Sequence, residues 1–210
     1  MVFSIIQYSG TYCGASIVAM QSRSDSQRMP PLDAAQLSPA QRAAADELIA
    51  GPRKAVKGPF IAFLRSPELL ARVGKLGEFL RFSTSLSPRA SEFATLMVAR
   101  AYDQQFEWFI HVPLALKAGT AQASIDALRL GHRPAAMSDE ETLIHDVTSE
   151  LLREHGVSDA TYARAVQHLG EGGVVELTSL VGYFQLVSLV LNVARIPEEP
   201  NPAVQPLEPL

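Results

Sequence analysis

The stretch from Ser87 to Gly119, SPRASEFATLMVARAYDQQFEWFIHVPLALKAG, leaves little freedom in how the chain around it can fold. Ser87-Pro88 reads as a helix start, because proline at the first helical position gives up an N–H that would have no partner there. Phe93, Leu96, Met97 and Arg100 then recur at helical spacing, which predicts a helix over 88–102. The polar run Tyr102-Asp103-Gln104-Gln105 breaks that pattern. A second helical pattern runs from Phe106 to Ala118, and Gly119 closes it as a C-terminal cap.

Inside the second segment, Glu107 and His111 stand at i,i+4, so their side chains share one face with the small Ala115. Imidazole titrates near neutrality, and a carboxylate beside it fixes its tautomer; together they are the minimum for a proton shuttle. On a helix surface the same pair would be an ordinary ion pair of little worth. Here Phe106, Trp108, Phe109, Ile110 and Leu114 make the helix apolar nearly all round, which predicts burial. A buried ionisable pair is costly, and a cost of that kind points to use. Glu92 is a second carboxylate upstream. In one straight helix it would lie about 28 Å from His111, at about 1.5 Å per residue. The two can meet only if the chain turns near Asp103 to Gln105.

The rest of the chain repeats the same punctuation. Ser38-Pro39 with Gln41 is a capping box, closed by Gly51-Pro52. Gly58-Pro59 marks a loop before the short apolar segment Phe60 to Leu64. Ser66-Pro67 opens a helix carrying Leu69, Leu70, Val73, Leu76, Phe79 and Leu80. Thr120 is read as the cap of a short helix over 121–130, and Ser138 with Glu141 as a capping box for a helix to about His155, closed by Gly156. Ser158-Asp159 opens another helix to Leu169, and Gly170, Gly172 and Gly173 break the chain before a last helix over 174–194. No alternating apolar stretch is long enough to insist on a strand. The expected fold is all-α, about eight helices in one domain over 30–196. Residues 1–29 read as a poorly ordered extension, and 197–210 as a Pro-rich tail without a core face.

Composition narrows the function. A net charge of −4 argues against nucleic acid as a partner. No uninterrupted apolar run reaches the roughly 18 residues of a membrane span; the closest, Val181 to Val193, is broken by Gln185, Ser188 and Asn192 and reads as a buried helix. Cys13 is the only cysteine, which leaves no internal disulfide and no cysteine-based zinc site. A cytoplasmic location is the expectation. No two histidines stand at i,i+3 or i,i+4, so no helix offers the usual metal pair. The Gly-rich stretch at 170–173 lacks the lysine of a phosphate loop, and no Gly-x-Ser-x-Gly is present. Neither metal nor organic cofactor is expected.

Glu92, Met97, Ala99, then Glu107, Trp108, His111, Pro113, Leu114, Ala115, Ala118 and Gly119 form a pattern that resembles the carboxymuconolactone decarboxylase family, with its AhpD-like helical fold. The match is dense over 88–130 and extends more loosely from about 60 to 196. The later Leu180-Val181-Gly182-Tyr183-Phe184 and Leu191-Asn192 resemble long-form members. In the peroxidase branch two cysteines sit where this chain has Gln104 and Glu107, so disulfide redox chemistry is not expected. The resemblance implies loss of CO2 from a small carboxylated lactone, without a cofactor. It implies His111 as proton donor or relay, Glu107 as its partner, and Glu92 as a carboxylate converging on the same place. An acidic substrate needs a cation, and Arg89, Arg100 and Lys117 lie in the same region; Arg89, Arg100, Trp108 and Tyr183 are the candidate substrate contacts. Relatives form trimers or hexamers, which implies a homo-oligomer, as does the apolar last helix. Two other readings stay open at this point: a different cofactor-free isomerase or hydrolase on the same scaffold, and a non-catalytic helical assembly module.

Overall fold

Proline sets where four of the helices begin, and side-chain caps set where several of the others do. In the computed structural model, which describes residues 27–208, the order is α1 (Pro39–Ala50), α2 (Pro59–Phe63), α3 (Pro67–Phe82), α4 (Pro88–Ala101), α5 (Gln105–Lys117), α6 (Gln122–Arg129), α7 (Asp139–Glu154) and α8 (Asp159–Ala194). No strand is present among the described residues, which form an all-α fold with eight α-helices. The Ser38–Gln41 and Ser138–Glu141 capping boxes are both formed, and Ser87 caps α4 by accepting from the Ala90 N–H. Ser66 makes no such bond, so the start of α3 rests on Pro67 alone. Thr120 is buried and not a cap; Ala121 takes that position instead. At the end of α7, His155 itself adopts the left-handed turn (φ 60°) expected of Gly156.

Helix α4 is the centre of the fold, lying against α5, α7 and α8 at once. That placement explains its composition: Phe93, Ala94, Leu96 and Val98 are fully enclosed, and small alanines at 90 and 99 let the neighbours approach. Leu177, Leu180, Phe184, Val187 and Leu191 of α8 are buried, while Val175, Leu189 and Val193 on its other side are exposed. Gly170 (φ 70°, ψ 167°) breaks α8 into two helical runs at the glycine cluster where a break is expected. By length and composition α8 would also suffice to cross a membrane, contrary to the expectation from its polar interruptions, although half of its most apolar window is buried within the fold.

The polar run after α4 is the turn that decides the site. Asp103 takes a left-handed conformation (φ 47°), and the Gln104 N–H donates to the Ala99 carbonyl at 2.8 Å. Gln104 then caps α5 by accepting from the Phe106 N–H, while its amide nitrogen donates to Asn192 Oδ1 at 2.9 Å. Asn192 in turn donates to the Tyr102 carbonyl. Two buried amides thus fasten the turn to α8 and fold α5 back along α4.

The C-terminal segment departs from its expectation. Val204 and Leu207 are buried in the main core. Arg100 donates to the Glu208 carbonyl, Gln105 exchanges two hydrogen bonds with Leu207, and the Trp108 indole donates to the Gln205 carbonyl. Residues 201–208 are therefore a strap across α5 and α6, held by backbone bonds that a sequence pattern does not announce. Of the extension expected over 1–29, residues 1–26 lie outside the described part, Cys13 among them; the Arg28 and Met29 N–H groups both donate to the Ala194 carbonyl at the end of α8.

Candidate active site

Folding α5 back on α4 brings Glu92 and His111 together. The His111 Nδ1 lies 2.6 Å from Glu92 Oε2, and its Nε2 lies 3.2 Å from Glu107 Oε2. One imidazole is therefore held between two carboxylates, one from each helix. His111 is almost fully enclosed, with the Phe184 ring meeting it edge-on at 5.0 Å between centroids. Burial by itself favours the neutral ring. The Glu92 charge and the hydrogen bonds from Glu107 and Glu92 outweigh it, so the His111 pKa is raised above its ordinary value. The short Nδ1 contact to Glu92 and the longer Nε2 contact to Glu107 both favour a proton on the ring.

This unit forms part of the wall of a cavity of about 340 Å3. Glu107 and His111 line it, with Ile110, Phe60, Phe106, Phe184 and Val187 as the apolar surface and Tyr183, Arg53, Lys57, Arg81 and Glu199 as further polar groups. Such a volume and such a mixture suit a small organic molecule. Glu92 does not line the cavity. It acts on the far side of the imidazole, where it orients the ring. Both nitrogens of His111 face carboxylates, and no group of three or more His, Cys, Asp and Glu side chains that could hold a metal ion is found among the described residues.

Of the candidate substrate contacts, only Tyr183 reaches this cavity. Arg89 donates to the Ala118 carbonyl and braces the turn at Gly119, where φ is 96° and an added Cβ would come within 2.6 Å of the guanidinium. Arg100 is buried against Asp103, the Arg129 carbonyl and the C-terminal strap. Trp108 is fully enclosed and spends its N–H on Gln205. Arg100 and Trp108 project from other faces of their helices than Glu92 and Glu107, and Arg89 sits one turn before Glu92, at the start of α4. The exposed Lys117, at the end of α5, is not part of the cavity wall either.

The cations that do face the cavity come from elsewhere. Arg53 and Lys57 sit in the loop Gly51-Pro52-Arg53-Lys54-Ala55-Val56-Lys57-Gly58-Pro59, and Arg81 in the last turn of α3. The signal for the loop was legible: it carries Arg53, Lys54 and Lys57 and no acidic residue, bounded on both sides by Gly-Pro. No protein-family model matches the sequence, and no curated protein matches it.

Proposed function

We propose that this protein is a cofactor-independent carboxy-lyase of the kind its sequence resembles, acting on a small carboxylated lactone or a related acid. The observation that carries the reading is His111 bracketed by Glu92 and Glu107 at the edge of a cavity that Arg53, Lys57 and Arg81 also line. A decarboxylation needs somewhere for the electrons of the broken bond to go. A substrate whose carboxylate is beta, or vinylogous, to a carbonyl carries that sink itself. The carbon–carbon bond to the carboxylate breaks, CO2 leaves, and the electron pair moves onto the carbonyl oxygen as an enolate. The protein then delivers one proton to carbon, which completes the balance.

In this scheme Glu107 and His111 are the groups that touch the reacting atoms. The proton passes to carbon from the Glu107–His111 pair, and solvent restores it in the next cycle. Glu92 is a positioning residue that fixes the imidazole through Nδ1. The carboxylates of Glu92 and Glu107 raise the His111 pKa against its burial, which favours the protonated ring that the scheme uses. The test is to screen carboxylated lactones for CO2 release, with His111→Ala as control. Release that depends on His111 is expected; release that persists in His111→Ala, or none from any lactone offered, contradicts the assignment.

We further propose that the protein works as a cytoplasmic homo-oligomer, a trimer or hexamer. Leu69, Leu76 and Phe79 of α3 and Val175, Leu189 and Val193 of α8 are large apolar residues left exposed. Leu76, Phe79 and Val175 line one shallow groove, and contiguous apolar surface of this kind usually marks an interface. Sedimentation at micromolar concentration should give a mass several times that of the 22.8 kDa chain. A monomer would overturn the proposal.

A further inference from the structure

The cationic wall of the cavity has no role in the proton transfer described above. Arg53 Nη2 donates to the Tyr183 hydroxyl at 3.2 Å, and the Arg53 guanidinium stacks on Phe60 at 4.4 Å from the ring centre. Arg81 stacks on Phe82 at 5.2 Å. Among the described residues neither arginine forms an ion pair with a carboxylate, and the Nε of each is buried without a hydrogen-bond partner. Burial foremost lowers the Arg53 pKa and the like charge of Arg81 adds to this, outweighing the opposing influence of Tyr183, Glu107 and Glu78. Two guanidiniums lining one cavity repel each other, and an unpaired N–H costs free energy when buried. An anion between them would relieve both costs.

Tyr183 completes the arrangement. Its oxygen already accepts from Arg53, so its own O–H is free to donate into the cavity. Burial foremost raises its pKa, so the phenol keeps that proton. The room for this pair is made by Gly77 on α3. A methyl group there would overlap the Tyr183 hydroxyl and come within 2.6 Å of Arg53 Nη2.

We propose that Arg53, Arg81 and the Tyr183 hydroxyl form a seat for a carboxylate that the reaction leaves in place, in the same cavity as Glu107 and His111. The second half of that statement rests on the decarboxylation reading. A carboxylate about to leave as neutral CO2 loses its charge on the way, so clamping it between arginines would stabilise the ground state and slow the step. A second carboxylate keeps its charge throughout, and its binding there orients the molecule without that penalty.

The seat itself is tested by binding and needs no turnover. Glutarate, titrated calorimetrically into the full chain at low salt, should bind, and the uncharged glutaramide should not. Arg53→Gln and Arg81→Gln should each weaken glutarate at least tenfold, and Gly77→Ala should do the same by displacing Tyr183 and Arg53. Glu107→Gln should bind glutarate as well as the parent or better, since it removes a negative charge from the cavity. Loss of CO2 release in Glu107→Gln with glutarate binding intact would support both assignments separately; the same binding pattern with no decarboxylation by any variant would uphold the seat and remove only the reaction. Glutarate binding no tighter than glutaramide overturns the seat. So does unchanged affinity in folded Arg53→Gln or, should that variant not fold, in Arg81→Gln.

Discussion

Glu107→Gln and His111→Gln are each expected to lower kcat by about 10² to 10⁴, the usual contribution of a general acid–base group. The double variant should lose little more than either alone, because one proton path is broken once. Glutamine keeps the shape of Glu107 but removes the charge that holds the Nε2 proton of His111, 3.2 Å away. Glu92→Gln should join the same non-additive set through Nδ1, although it stands outside the cavity. A purely structural bracket predicts something different. Removing His111 would leave two carboxylates facing each other in a mostly buried site, at a cost of about 3–5 kcal/mol in stability, with no specific loss of rate in the molecules that remain folded. Melting temperature and turnover measured on the same set of variants separate the two outcomes.

Trp108→Ala should destabilise the chain by about 3–5 kcal/mol, as for other large buried aromatics. Trp108 has no exposed surface, sits in the main core, and is the largest fully enclosed side chain. Trp108→Phe is the more informative change. It retains most of the packing and removes the N–H donated to the Gln205 carbonyl at 2.9 Å. The expected loss is about 1 kcal/mol, as the strap over 201–208 loosens. Its KM should stay at the parent value, because Trp108 does not line the cavity. Urea denaturation and steady-state kinetics on the two variants check this. A KM raised tenfold in Trp108→Phe with stability unchanged would place the indole at the substrate after all.

How far the sequence carries depends on whether a feature is local. Helix starts at Pro39, Pro67 and Pro88 and the two Ser-led capping boxes follow from backbone chemistry within a few residues, and the structure has them, while Pro59, read as loop, also opens a short helix. The pairing of Glu107 with His111 is local in the same sense, being set by one helical turn. The meeting of Glu92 with His111 needed a single non-local condition, a turn near residue 104, which the polar interruption supplied and the left-handed Asp103 fulfils. The cations that line the cavity were not accessible by the same reasoning. Arg89 and Arg100 are close to the acids along the chain, yet Arg89 sits at the start of α4 beside the Gly119 turn and helical rotation carries Arg100 to the C-terminal strap. Arg53 and Arg81 are remote in sequence and reach the cavity only because the α1–α2 loop and the end of α3 pack over α8. The strap escaped notice for a related reason: it is held chiefly through its backbone carbonyls, and its Pro-rich composition reads as a free tail.

The most direct test of the account is a titration of His111 followed by NMR on the selectively labelled imidazole. The raised pKa has a fixed thermodynamic sign. A histidine whose folded pKa lies above its unfolded value stabilises the fold fully below that unfolded value, about 6.5, and the contribution fades as pH rises through the folded pKa. The bracket therefore predicts a midpoint for His111 above about 6.5 in the parent protein. It predicts a lower midpoint in both Glu92→Gln and Glu107→Gln, since each removes one of the charges holding the proton. It also predicts that the stability gap between the parent and His111→Gln narrows as pH is raised through the parent midpoint. A His111 that titrates at or below the ordinary value, unmoved by the loss of either carboxylate, would contradict the shared-proton unit on which the proposed chemistry stands.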